Sequence, residues 1–223
     1  MENFKIKVAK AALEYIDDHT VIGIGTGTTV NHFIDLLATI KHRIDACVAS
    51  SKASESRLRA LGFSVIDLNV AVDLPIYFDS ADEINSLGET IKGGGGALTR
   101  EKVLASVASQ FVCMVDSSKV VERLGQFPTA VEVIPLARSF VARELVKLGG
   151  DPQYRQGFVT DNGNIILDVF NLDLNNPQGM EHAINMIPGV LDNGIFAHRA
   201  ADLVLISENA AIKTIRGRGP AII

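Results

Sequence analysis

TVIGIGTGTTV, residues 20–30, runs from an apolar strand through a glycine turn into threonines that open a helix. This stretch decides the fold class, because a strand that ends on glycine and feeds a helix is the first half of a βαβ unit. The same rhythm continues to about Asp116. It predicts a helix near Thr29–Ile40, strand DACVAS at 45–50, a helix near Ala53–Leu61, and strands at Phe63–Ile66, Pro75–Phe78 and Phe111–Val115. The expected architecture is α/β, with a Rossmann-like, mostly parallel sheet that binds ligands beyond its strand C-termini.

After Pro128 the order changes. Strand VEVI (131–134), helix Ala137–Leu148, a strand near Tyr154–Thr160, a turn at Asn162-Gly163 and strand Asn164–Phe170 follow in turn. A helix opened by Asn176-Pro177 and closed near Pro188-Gly189 then leads to strand Val190–Ala197. The order βαββαβ predicts a second, smaller ferredoxin-like α+β domain over 129–199. Residues 1–128 plus 200–223 would form the first domain, with Ala201–Ile206 returning to its sheet.

The composition narrows the function. Net charge is −5 over 223 residues and the basic residues are dispersed, which argues against a nucleic-acid partner. Cys47 and Cys113 sit in apolar runs and read as buried thiols of a reducing compartment, and five scattered histidines form no zinc spacing. The N-terminal segment MENFKIKVAKAALEYIDD reads as a helix with Phe4, Val8, Ala11, Ala12 and Tyr15 on one face. It resembles neither a signal peptide nor a membrane span, so a soluble cytoplasmic protein is expected.

Four segments beside strand ends can carry chemistry. IKGGGGALTREK (91–102) joins Lys92 and Gly93 to Gly96 with Glu101 in the first turn of a helix whose apolar face is read as Val103, Leu104, Val107 and Phe111. Glycine lets backbone amides approach a ligand, and the helix dipole favours the ionised carboxylate. A carboxylate aimed at an anion-binding loop suits proton removal from a phosphorylated substrate, although a flexible loop before an ordinary helix fits the same letters. Thr26, Gly27, Thr28 and Thr29 suit a phosphate at a helix N-terminus, or a plain turn with threonine as cap. As a dinucleotide fingerprint GIGTGT fails, because Thr28 stands where the third glycine or alanine belongs. YFDSADEIN (77–85) offers Asp79, Asp82 and Glu83 for hydroxyl recognition or a divalent metal, or as a solvated acidic turn. Asp116-Ser117-Ser118-Lys119 supplies a further cation or a common turn.

Taken in order, GIGTGTTV, SSKASESRLRALGF, DSADE, KGGGGALTREK and VEVIP resemble the type A ribose-5-phosphate isomerase family. ARELVKLGG, YRQGFVTDNGNIILDV and IPGVLDNGIFA extend the resemblance over almost the whole chain. It implies interconversion of ribose 5-phosphate and ribulose 5-phosphate without metal or organic cofactor, in a homodimer. It further implies Glu101 as proton carrier, Lys92 stabilising a cis-enediolate, and Asp79 and Asp82 assisting ring opening. Substrate contacts would come from Thr26 to Thr29, Asp79, Ser80, Ala81, Asp82, Lys92, Gly93, Gly94, Gly95 and Lys119, with Lys5 near the phosphate. The chain departs from the family pattern at Ser80, where glycine is usual, at Thr28 for serine, and at Thr129-Ala130 for Leu-Pro. Ser80 brings either strain, if the position needs positive φ, or an added hydroxyl near the sugar. The tail IRGRGPAII receives no role. Two other classes compete: a sugar-phosphate-binding effector domain without turnover, and a dinucleotide-dependent oxidoreductase.

Overall fold

The computed structural model describes residues 4–209 and 211–218. Helix α1 (Phe4–Ala12) precedes β1 (Thr20–Ile24), α2 (Thr28–Leu37), β2 (Ile44–Ala49), α3 (Lys52–Ala60) and β3 (Ile76–Asp79). Two short strands, β4 (Glu83–Ile84) and β5 (Thr90–Ile91), lead to α4 (Leu98–Val107) and β6 (Gln110–Asp116). The antiparallel portion comprises β7 (Thr129–Val133), α5 (Arg138–Lys147), β8 (Asp151–Tyr154), β9 (Ile165–Phe170), α6 (Pro177–Asn185) and β10 (Val190–Asn193). Strands β11 (Ile195–Phe196), β12 (Leu203–Glu208) and β13 (Ala211–Arg216) complete the order.

The large sheet runs β13-β12-β6-β3-β1-β2, parallel except for β13 at the edge. From β1 the chain goes to β2 on one side and then to β3 on the other, so the strand order reverses at β1. Such a reversal splays the connections apart and opens a crevice beyond the strand ends. Alternation along the buried strands divides two cores. Phe78, Val112, Met114 and Leu205 face α1 and α2 with Phe33 and Leu37, while Tyr77, Phe111, Cys113 and Val204 face α4 with Leu104 and Ala105.

The second sheet has the order β10-β7-β9-β8 and is antiparallel throughout, which is the split βαββαβ arrangement. Its core gathers Val131, Val133, Val141, Leu145, Leu167 and Ile184. The helix opened by Asn176-Pro177 forms as the sequence predicts, with the Asn176 side chain accepting from Gly179 N–H and Pro177 in the first turn.

Several expectations need correction. Phe63–Ile66 makes only a single bridge, Val65 to Cys47, because Asp67 caps a tight turn that ends the extended segment. The strand expected near Tyr154–Thr160 lies earlier, at Asp151–Tyr154. It is an exposed edge strand with few apolar residues, so hydrophobic patterning misses it. Val190–Ala197 is not one strand: it breaks at Gly194, and Ile195–Phe196 joins β5 and β4 in a third, three-stranded sheet. In α4, Val103 and Val107 are half exposed, whereas Leu98, Glu101, Lys102, Leu104 and Ala105 are buried. Phe4 is likewise exposed, and Ala9 joins Val8 and Ala12 in the core. Part of the tail left without a role forms β13; its residues 219–223 lie outside the described residues.

Gly194 ties the sheets together. Its carbonyl accepts from Lys92 N–H at 2.8 Å and its N–H donates to the Ala130 carbonyl at 2.7 Å. A Cβ there would lie 2.1 Å from the Lys92 carbonyl oxygen, with no left-handed φ involved. Gly194→Ala should therefore lower unfolding free energy through overpacking alone, by about 1–3 kcal/mol or more, as read from denaturant midpoints. An unchanged midpoint would contradict this packing.

Candidate active site

The crevice opens where β1 and β3 end side by side. Gly25 N–H donates to the Phe78 carbonyl at 2.8 Å, and a Cβ on Gly25 would lie 2.0 Å from Asp79 Cγ. Glycine at this position is what lets the Asp79 carboxylate sit against the strand end. Asp79 is fully buried, with both oxygens occupied. Oδ1 accepts from Ser80 N–H at 2.7 Å and Thr26 N–H at 3.2 Å; Oδ2 accepts from the Tyr77 hydroxyl and faces Lys92 Nζ at 2.8 Å.

Lys92 follows β5, and its ammonium also reaches Glu101 Oε2 at 3.2 Å and the Ser80 carbonyl. Glu101 arrives from the first turn of α4, and both residues are at most 4% exposed. One buried ammonium thus serves two buried carboxylates. Asp79 has three further donors, so the shortage of positive charge falls on Glu101. Burial and the Asp79 carboxylate push the Glu101 carboxyl up to about 8, against the opposing pull of Lys92. Burial alone would lower the Lys92 ammonium, but Asp79 and Glu101 outweigh it and hold Lys92 above its ordinary value. The Tyr77 hydroxyl is raised as well, by burial first and then by the two carboxylates.

Lys92 and Glu101 form one wall of a cavity of about 140 Å³. Thr26, Gly27, Thr28 and Thr29 form the wall at the start of α2, where Gly27 has φ 123° and no side chain caps the helix. Threonine capping is therefore not the role of this turn, and the open amides at the helix start suit an anion. Thr28 and Thr29 carry hydroxyls here, but the Thr26 hydroxyl is held by Ser51 Oγ at 2.7 Å and lies 3.0 Å from Ser50 Oγ. Lys5 from α1 also lines the cavity and donates to Thr28 Oγ1 at 2.6 Å. Lys119 and Asp116 close it beyond β6.

Ser80, Ala81, Asp82, Gly93, Gly95, Met114 and Val115 complete the lining. Gly94 does not line the cavity; its N–H donates to Asp82 Oδ2 at 2.8 Å and so fixes that carboxylate. Asp79 is also absent from the wall, so of the two aspartates only Asp82 meets the cavity. Glu83 belongs elsewhere, with its carboxylate accepting from Gly125 and Phe127 N–H. Ser80 does not adopt positive φ, so it brings no backbone strain, and its hydroxyl faces Gly27. Among the described residues no group of three or more His, Cys, Asp or Glu side chains is arranged to hold a metal ion.

Sequence reasoning missed Tyr77 and the serines at 50, 51 and 54. Tyr77 reads as an ordinary core aromatic, and the serines follow the neighbouring strand β2, some 25 residues along the chain from the loop they support. The available signal was SSKAS itself, with three hydroxyls directly after an apolar strand.

Comparison with known proteins places this geometry in context. The family model described as ribose 5-phosphate isomerase A (phosphoriboisomerase A) matches residues 46–210. A curated relative, ribose-5-phosphate isomerase A of Legionella pneumophila (strain Corby), is 65% identical over 216 residues, covering 97% of this chain and 100% of the relative. A solved ribose 5-phosphate isomerase A from Neisseria gonorrhoeae superposes with a TM-score of 0.94 at 44% identity, covering 96% of both chains. A solved D-ribose-5-phosphate isomerase in complex with phospho-erythronic acid gives 0.90 at 34% identity, covering 96% of this chain and 97% of that one.

The raised Glu101 carboxyl has a consequence for stability. Its folded-state value of about 8 lies above the ordinary 4.5, so its contribution is fully present below about 4.5 and is lost as pH rises through 8. Glu101→Gln removes that dependence. The stability of the variant relative to the parent should therefore climb between pH 4.5 and 8, as measured by denaturant unfolding at several pH values. A pH-independent difference would mean that the carboxyl is not raised.

Proposed function

The chain belongs to the ribose 5-phosphate isomerase A family, and from that premise we propose how its residues interconvert D-ribose 5-phosphate and D-ribulose 5-phosphate. The observation that carries the reading is the buried Asp79–Lys92–Glu101 arrangement beside an open helix N-terminus. The phosphate is held by the amides at the start of α2, the hydroxyls of Thr28 and Thr29, and the ammonium groups of Lys5 and Lys119. That anchors one end of the substrate and extends its carbons toward Glu101.

Asp82, the aspartate on the cavity wall, assists opening of the furanose ring by exchanging a proton with the sugar hydroxyl. Asp79 acts through Lys92, which it keeps charged and aimed. Glu101 then removes the proton from C2 of the aldose. The electron pair moves into the C1–C2 bond as the carbonyl oxygen at C1 gains negative charge, giving a cis-enediolate. Lys92 and the Gly95 amide of the glycine loop stabilise that charge because they are already oriented when it forms. Reprotonation at C1 by Glu101, with proton exchange between the two oxygens, yields the ketose. The oxygens of Asp79 are all engaged by protein donors, which supports a mechanism that needs no metal ion.

Family membership favours turnover over the effector-domain reading, and the broken glycine fingerprint disfavours a dinucleotide. The family resemblance and exposed apolar side chains such as Leu136 and Met186 support a homodimer. The separate antiparallel sheet supports treating 129–199 as a lid or dimerisation domain. No described helix is long and apolar enough to cross a membrane, in keeping with the cytoplasmic location we propose.

Purified protein should interconvert the two sugar phosphates with excess chelator present; loss of activity on chelation would defeat the metal-free mechanism. Glu101→Gln should lower kcat by roughly a hundredfold to ten-thousandfold, and near-normal turnover would remove Glu101 as the base. In the parent, kcat/KM should fall as pH drops below about 8, where the base becomes protonated. A flat profile from neutral pH upward contradicts the assignment. Phospho-erythronic acid, an open-chain acid phosphate bound by the relative above, should compete with substrate in steady-state inhibition assays.

A further inference from the structure

The glycine loop at 93–96 is held from outside by two side chains of the connection between β8 and β9, neither of which lines the cavity. Arg155, directly after β8, donates through one terminal nitrogen to the carbonyls of Gly93 at 3.1 Å and Gly94 at 3.3 Å. Its other two nitrogens form a bidentate pair with the Asp168 carboxylate on β9, including Nε to Oδ2 at 2.8 Å. Three residues later Phe158 lies against Gly96, where a Cβ would come within 2.2 Å of the ring. The Arg155 guanidinium sits 5.3 Å from the centre of that ring. On the opposite side of the loop, Gly94 N–H is fixed by Asp82.

Each peptide of this loop can rotate as a unit, and glycine imposes little steric limit on that rotation. Pinning the carbonyls of Gly93 and Gly94 on one side fixes where the adjoining amides point. We infer that Arg155, anchored by Asp168 and set beside the Phe158 ring, is a positioning residue for isomerisation, one that holds the glycine loop so that the Gly95 amide meets the enediolate. The inference rests on the isomerase reading above. Arginine is required because one planar fork must reach a carboxylate and two carbonyls at once. A lysine ammonium is a single point that cannot span them. Because the donor it aligns meets charge that develops only in the transition state, the loss should fall on kcat more than on KM.

The test compares the parent with Arg155→Ala, Arg155→Lys and Asp168→Asn in the isomerase assay, with folding checked by circular dichroism. Arg155→Ala should lose about a hundredfold in kcat, the scale expected when reacting groups are misplaced by an ångström. Arg155→Lys should not recover it, and added methylguanidinium should restore part of it in Arg155→Ala. Asp168→Asn, which leaves the guanidinium in place, should lose far less. If Arg155→Ala does not fold, the same kcat loss is read from Arg155→Lys, which keeps a cation beside Asp168. Parent-like kcat in a folded Arg155 variant overturns the inference, and parent-like kcat in Asp168→Asn overturns the anchoring role of Asp168. A parent without isomerase activity would instead overturn the functional reading itself.

Discussion

A single ammonium between two carboxylates, all three withdrawn from water, is the constraint around which this protein is built. Burying charge is costly unless each group finds partners, and here the partners come from distant parts of the chain. Asp79 comes from the end of β3, Lys92 from the end of β5 and Glu101 from the first turn of α4. Holding both carboxylates within 3.2 Å of one ammonium requires the large sheet to present β3 beside β1 and the short strands to carry Lys92 back over it. It also requires small residues at the crossing points, as Gly25 and Gly194 show. Asp79, with its additional donors, fixes the ammonium, and Glu101 is left as the group whose proton is easily gained and lost. The same imbalance that makes Glu101 suited to proton transfer lowers the stability of the fold as pH rises from about 4.5 to about 8.

The two sheets divide the work unequally. The parallel sheet supplies nearly every group on the cavity, because the reversal of strand order at β1 opens the crevice. The antiparallel sheet adds no side chain to the wall, yet it determines the orientation of the wall. Glu132 on β7 gathers donors from Thr99 in α4 and from Thr160, Asn162 and Asn164 in the loop before β9, tying the helix of the base to the second sheet. Lys102, next to Glu101, is paired with Glu181 and Asp192 from that half of the chain. These contacts explain why α4 buries charged residues and exposes valines. Its inward face meets polar partners beside the buried Leu98, Leu104 and Ala105, so a wholly apolar stripe would leave those partners unsatisfied.

Much of this was legible in the sequence. Strands and helices that pack by apolar periodicity read correctly, and the glycine, threonine and acidic motifs lie beside the cavity because loops at parallel strand ends converge there. Three of the failures share a physical cause. The edge strand at Asp151–Tyr154 is exposed, α4 packs through ion pairs, and the break at Gly194 follows from close backbone approach, none of which leaves a hydrophobic signature. Ser80 shows the converse: its departure from the family glycine raised the prospect of strain, but its φ is ordinary and the substitution only adds a hydroxyl facing Gly27.

By itself the sequence determined the alternation of strand and helix, the βαββαβ order that follows, the family, and the residue types that can bind phosphate and move a proton, because these depend on local spacing. Only the tertiary structure decided which of those residues meet. It withdrew Asp79 and Gly94 from the cavity, left Asp82 on its wall, turned the Thr26 hydroxyl toward serines 50 and 51, and brought Tyr77 and Arg155 into supporting positions. The reason is that burial and partner count, which set whether a carboxylate anchors a lysine or carries a proton, are properties of the assembled neighbourhood and of no single stretch of chain.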